Sequence, residues 1–366
     1  MRKNFVLCGA LCVLPFTTAQ ADTSVTLYGS VTAGYAYEKV SGPLHGGYYS
    51  NTKTGAIDAG QPGSRWGLKI EEDIGNGTTV VAQLESGFNL LTGESKQGGR
   101  LFGRQSTLGL SNKDWGRLEF GRQTNISNKY GKNILDPLGS SYNQLSIGMA
   151  FSSLDSVRYD NMVMYQSPTI SGFQGGIGYS STIDGEEGST DDKAITTGLR
   201  YNQGAVKAFL VYDRIRLKKE GMSHRLQAWA AGMSYDFDAL TLSLGFGKTK
   251  DGWFAGGNVG DLKTGSFVAA EGFDLNSYHV GLAIPMGNGQ IGAAWRMADP
   301  RRAAISSKSV YLVGDELEKQ NVFALGYSYK LSKRTNLYTY ASYAKNAFFQ
   351  DGLKSRLVSV GIRHRF

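Results

Sequence analysis

The chain has 366 residues, among them 49 Gly, 7 Pro and 2 Cys, and a formal charge of +8 at pH 7. Abundant Gly with scarce Pro excludes collagen-like and Pro-rich disordered classes. No stretch beyond residue 21 approaches the ~18 consecutive apolar residues of a membrane helix. Twenty Tyr and 17 Phe, beside frequent Gly and Thr, point to an all-β fold.

Residues 1–21 read as an export signal. Arg2 and Lys3 open it, an apolar core runs from Phe5 to Phe16, and Ala19-Gln20-Ala21 supplies a small-residue cleavage site. Both cysteines, Cys8 and Cys12, leave with it, so thiol catalysis and Cys-ligated metal are excluded for the mature segment 22–366. Its charge falls from +8 to +6 because Arg2 and Lys3 are lost. In an exported protein, that basic balance does not point to nucleic acid.

From residue 24 the chain alternates with period two. Val25, Leu27, Val31, Ala33, Tyr35 and Tyr37 alternate with small or polar neighbours, and Trp66, Leu68 and Ile70 repeat the pattern. So do Val80, Ala82 and Leu84, then Phe209 and Val211, taken here as one apolar face, and finally Val358, Val360 and Ile362. A strand with one apolar and one polar face separates two solvents. Sixteen such segments are expected, at 24–38, 64–74, 77–88, 100–111, 116–126, 157–167, 172–183, 193–203, 204–215, 223–237, 239–250, 272–284, 289–299, 319–331, 335–347 and 354–366.

Their connections alternate between two kinds. Short ones carry turn chemistry, as in Asp73-Ile74-Gly75-Asn76-Gly77 and Met286-Gly287-Asn288-Gly289. Long ones fall between, at 39–63, 89–99, 127–156, 184–192, 216–222, 251–271, 300–318 and 348–353. A soluble sandwich has no reason to put every long loop on one side, whereas outer-membrane barrels do. The expected fold is therefore a sixteen-stranded antiparallel transmembrane β-barrel with short periplasmic turns and long extracellular loops. Closure also removes the exposed edges of so large a sheet.

Several stretches then carry a family resemblance: VTLYG at 25–29, SRWGLK at 64–69, QLESGF at 83–88, LFGRQ at 101–105, FGRQ at 120–123, YQSP at 165–168 and GIRHRF at 361–366. In order, these resemble the general porins of β-proteobacteria, trimeric outer-membrane channels. The resemblance implies a homotrimer in lipid and lipopolysaccharide that passes small hydrophilic solutes and ions, with no cofactor and no metal. It implies that loop 127–156 folds inward as a constriction, with Pro137, Leu138 and Gly139 at its tip. It also implies that Phe366, Ile362 and Val360 form a C-terminal signal for the outer-membrane assembly machinery.

Alternation places Arg65, Lys69 and Glu85 on the lumen face, and the resemblance adds Arg104, Arg122 and Arg158. Arginines in a narrow neck hold a fixed positive field that concentrates anions. The loop's Lys129, Lys132, Asp136 and Asp155 sum to zero, and Leu138 stands where cation-preferring relatives often carry Glu. A modest anion preference is expected, with Glu85 and Asp136 as the opposing acidic groups.

The alternative is a substrate-specific channel of the same fold. A barrel enzyme lacks support: His45, His224, His279 and His364 have no Ser or carboxylate partner suggested by spacing, and neither G-x-S-x-G nor H-E-x-x-H occurs. An adhesin with a plugged lumen would show bulky inward residues. The pairs Glu186-Glu187 and Asp191-Asp192 read as solvated loop charge.

Overall fold

Strand alternation resolves into one antiparallel sheet that closes on itself. The computed structural model describes residues 23–58, 60–139, 146–155, 157–183, 192–219, 222–265, 267–307, 309–314 and 317–366. The export signal expected at 1–21, and Glu186, Glu187 and Asp191, lie outside the described residues.

The sheet has eighteen paired segments. Gly47–Asp58 and Arg65–Asp73 are successive halves of one strand, both paired with Thr23–Leu44, and Ser306–Ser307 is a two-residue bridge in a loop. Sixteen barrel strands remain. The last, Lys354–Arg365, pairs with the first, with Ser41 opposite Lys354 and Ser30 opposite Arg365. Gly29 and Phe366 complete the seam through two backbone hydrogen bonds, Gly29 N to Phe366 O at 3.1 Å and Phe366 N to Gly29 O at 3.2 Å. Every strand thus has two neighbours, so the backbone is satisfied without water. No described helix is long and apolar enough to cross a membrane, and the strands do the crossing.

The outer face is apolar as expected. Val25, Leu27, Leu108, Phe120, Leu325 and Val360 are each half exposed or more, a band that suits lipid.

Two stretches depart most from the expected pattern. Where a loop was expected at 39–63, the first strand continues to Leu44 and returns as Gly47–Asp58. His45 (φ 50°) and Gly46 (φ 78°) form the two-residue turn that joins them, the tight geometry that matches strand twist. The other departure is Val206–Lys219. Phe209 and Val211 are buried inside the barrel, while Leu210 is 57% exposed on its outside. Both faces of this strand are apolar, because something other than water fills the lumen beside it.

That filling is the helix α1, Ile126–Leu135. It crosses the strands after Phe173 through gaps that glycines leave. A Cβ at Gly176 would lie 2.6 Å from Ile126 Cδ1, and one at Gly245 would lie 2.5 Å from Leu135 Cδ1. Ile126, Leu135 and Phe209 are nearly or fully buried there, each contributing about 1.5–3 kcal/mol. The helix is thereby held on one side of the lumen, and the wall opposite stays open.

Candidate functional site

The inward loop begins at a built cap. The Asn125 side chain accepts from Asn128 N at 3.2 Å and donates to Asp213 Oδ1 at 3.0 Å, and the Ser127 hydroxyl binds the other Asp213 oxygen. An asparagine cap satisfies a donor the first helical turn leaves over. Thr196 Oγ1 takes another, from Ile126 N at 2.9 Å. Tyr130, whose hydroxyl burial pushes up to about 12, carries the Arg200 guanidinium 4.9 Å from its ring centre.

All four charges of the loop are paired. Lys129 lies 3.8 Å from Glu119 on the wall, and Lys132 lies 2.7 Å from Asp155 within the loop. Asp136 lies 3.3 Å from Arg296, with both side chains almost wholly buried. Burial pushes the Asp136 carboxyl up while the guanidinium pulls it down. Asp136 therefore does not stand with Glu85 as an acidic rim; it pins the loop to the far wall. Beside it, Pro137 O accepts from Gln290 at 3.0 Å, and Leu138 is buried in a slot left by Gly292 and Gly326. Tyr340, itself bonded by Gln61 at 2.8 Å, donates to Leu138 O at 3.1 Å. A Cβ at Gly139 would meet nothing within 4 Å.

The expected basic residues gather on the opposite wall. Glu85 is shared by Arg104 at 2.6 Å and Arg65 at 3.5 Å, and Tyr28 donates to it at 3.0 Å. Arg158 Nε donates to Arg104 O at 2.9 Å. Arg122 donates to Gly103 O at 2.8 Å and pairs with Asp160. Lys69 is nearer the short-turn end, 5.2 Å from the centre of the Tyr28 ring. Strict alternation would turn Arg122 to the side of the exposed Phe120. The register shifts there, between Gly121 and Gln123, with Gly121 at φ 117° and Asn161 at φ 48° facing it. Such a bulge re-aims a side chain.

Three members of this wall were not anticipated. Asp160 holds both Arg122 and Arg100, the latter at 3.0 Å. The signal for it was its spacing of two from Arg158, which puts it on the same side of the strand. Arg363 donates to Ser30 Oγ at 3.2 Å from the polar face of the last strand. Arg100 belongs to the loop before Gln105–Asn112, which begins later than expected. Among the histidines, His279 does have a serine partner, Ser243 Oγ at 3.1 Å, but both are buried and Nδ1 meets no partner. Without a group to orient the ring, the pair lacks the arrangement of a hydrolytic triad.

An edgeless strand wall, apolar outside and charged inside, with one loop seated within it, defines a transmembrane barrel channel. Comparison with known proteins agrees. The family model described as Gram-negative porin matches residues 10–347. An outer-membrane porin protein of Bordetella pertussis is 45% identical over the full length of both chains. The anion-selective porin from Comamonas acidovorans superimposes with a TM-score of 0.71 at 24% identity, covering 94% of this chain and 100% of that one. A trimer form of an outer-membrane protein of Vibrio cholerae gives a TM-score of 0.61 at 12% identity, covering 94% and 99%. The chain belongs to the Gram-negative porin family. It is an outer-membrane porin, a channel rather than an enzyme.

Proposed function

We propose that this porin passes small hydrophilic solutes and ions by passive diffusion, with a modest preference for anions, through a constriction between the inward loop and the basic wall. The observation that carries this is a surplus of positive charge: Arg65, Arg100, Arg104, Arg122 and Arg158 stand against Glu85 and Asp160 of the wall and against Asp155 of the loop, whose charge Lys132 already offsets. The loop opposite adds no net charge. A structurally similar porin that bears the name anion-selective supports the reading. The test is the reversal potential of the purified protein in planar bilayers across a KCl gradient. Its sign should report chloride preference, weakening as salt shortens the screening length to ~3 Å at 1 M. Preference for potassium overturns the reading.

The assembly we propose is a homotrimer of the segment 22–366, exported by cleavage of residues 1–21 and embedded among lipid and lipopolysaccharide. The trimer form of a similarly folded protein supports it. Phe366, with Val360 and Ile362 on the same outward face, is read as the signal to the assembly machinery. Its ring rests against Gly29, where a Cβ would come within 2.3 Å of Cζ. Deleting Phe366 removes this contact and both seam hydrogen bonds. Fractionation should show a several-fold loss of outer-membrane protein with export unchanged; equal yield counts against the role.

A further inference from the structure

Residues 254–265 leave the wall between the strands Thr241–Trp253 and Val268–Met286 and reach the opposite side of the mouth. There Asp261 pairs with Lys53 and accepts from Asn51 Nδ2 at 2.8 Å, both residues of the return strand Gly47–Asp58. Gly260 N donates to Glu38 Oε1 at 3.1 Å, and a Cβ on Gly260 would lie 2.9 Å from Val40 Cγ2. The segment is itself a small hairpin, with Asn258 opposite Lys263 and Val259 opposite Leu262. Val259 and Leu262 are buried in one cluster with Val40 of the first strand, Met149 of the inward loop and Phe348 of the last loop. The Lys53 ammonium, donating to Asp261, holds that carboxyl below its ordinary range.

The two attachments lie on distant strands of the ring, so the hairpin is a chord across the mouth. A cavity of about 730 Å³ lies between it and the basic wall. Arg100, Arg122 and Arg158 line one side, and Phe254, Asn258 and Lys263 line the other.

We propose that this hairpin is a strap that narrows the entrance ahead of the constriction and so contributes to the size limit of the channel, with Asp261 and Lys53 as a specificity-determining pair that ties it across the mouth. A solute that enters through this cavity passes between the strap and the arginines. Its apolar underside seats it, and the tie fixes where its tip lies. An exposed ion pair is weak alone, so opposing charges at the tie should matter more than its simple loss. This proposal rests on the reading of the chain as an open diffusion channel, and is independent of its charge preference.

The test is swelling of liposomes holding the assembled full-length barrel, with uncharged sugars from a pentose to a trisaccharide. Asp261→Lys, which faces Lys53 with a like charge, should raise the trisaccharide rate several-fold relative to the pentose rate. Lys53→Glu combined with Asp261→Lys should restore the original ratio. Replacing 258–263 by a two-glycine turn should widen the limit at least as far, with heat-modifiable mobility reporting that the barrel is folded. An unchanged ratio in both the Asp261→Lys and shortened-loop proteins overturns the strap. Wild-type vesicles that swell with no sugar would instead refute the diffusion channel, and a potassium preference in bilayers would refute only the anion reading.

Discussion

Replacing Arg104 and Arg158 together by Ala is expected to move the reversal potential toward cations and leave the barrel folded. A unit charge about 8 Å from the ion path contributes roughly 0.5 kcal/mol in water, so losing two changes ion occupancy about fivefold at low salt. The change is not a simple subtraction. Arg104 makes the shorter contact to Glu85, and Arg65 at 3.5 Å is the weaker holder left behind. The double substitution therefore also uncovers a carboxylate, adding to the shift. The strand ladder needs neither side chain, because the backbone satisfies its own hydrogen bonds. Planar-bilayer recordings before and after substitution supply the comparison, and an unaltered potential in a folded protein would remove these arginines from the selectivity determinants.

Asp136→Ala should have the largest structural effect. It removes the carboxylate that contacts the buried Arg296, leaving Asp155 still acting on that guanidinium, and removing one partner of a buried pair costs up to about 3–5 kcal/mol. The barrel need not absorb that cost, because the loop tip can lift away and let water reach the guanidinium. Leu138 would then leave the slot at Gly292 and Gly326. The expected results are a noisier open-channel current and protease cleavage within the loop that the wild type resists. Asp136→Leu with Arg296→Met removes both charges and should quieten the current again, since an apolar pair of similar volume often replaces a buried ion pair without loss. Quiet, protease-resistant behaviour in the single variant would show that the glycine slot alone holds the tip.

The contrast between lipid and water on the two faces of each strand made the barrel legible in the amino-acid sequence. Most strand ends fall within a few residues of expectation, as at Thr335–Lys345 and Thr78–Gly87. Alternation stops being informative where that contrast ends. The return strand of the first hairpin is exposed along most of its length and meets the strap through polar groups, so Tyr48, Asn51 and Lys53 show no apolar face to count. It also misleads where protein replaces water in the lumen, which is why it puts Phe209 and Val211 on the wrong side. The site was half legible. Alternation put Arg65 and Glu85 inward, but no local pattern tells a tip carboxylate facing solute from one buried against Arg296, 160 residues away.

The strand Val206–Lys219 has a consequence before the barrel exists. In the folded protein its inner face is covered by α1 and its outer face by lipid. During transit through the aqueous periplasm neither cover is present, and Phe209, Leu210 and Val211 form a run with high strand propensity and no charge. Such a run pairs readily with a second copy of itself. Lys207 on one side and Asp213 and Arg214 on the other bracket it as gatekeeping charges. The residues that seat the inward loop are thus also an aggregation hazard of the unfolded chain, which the flanking charges offset.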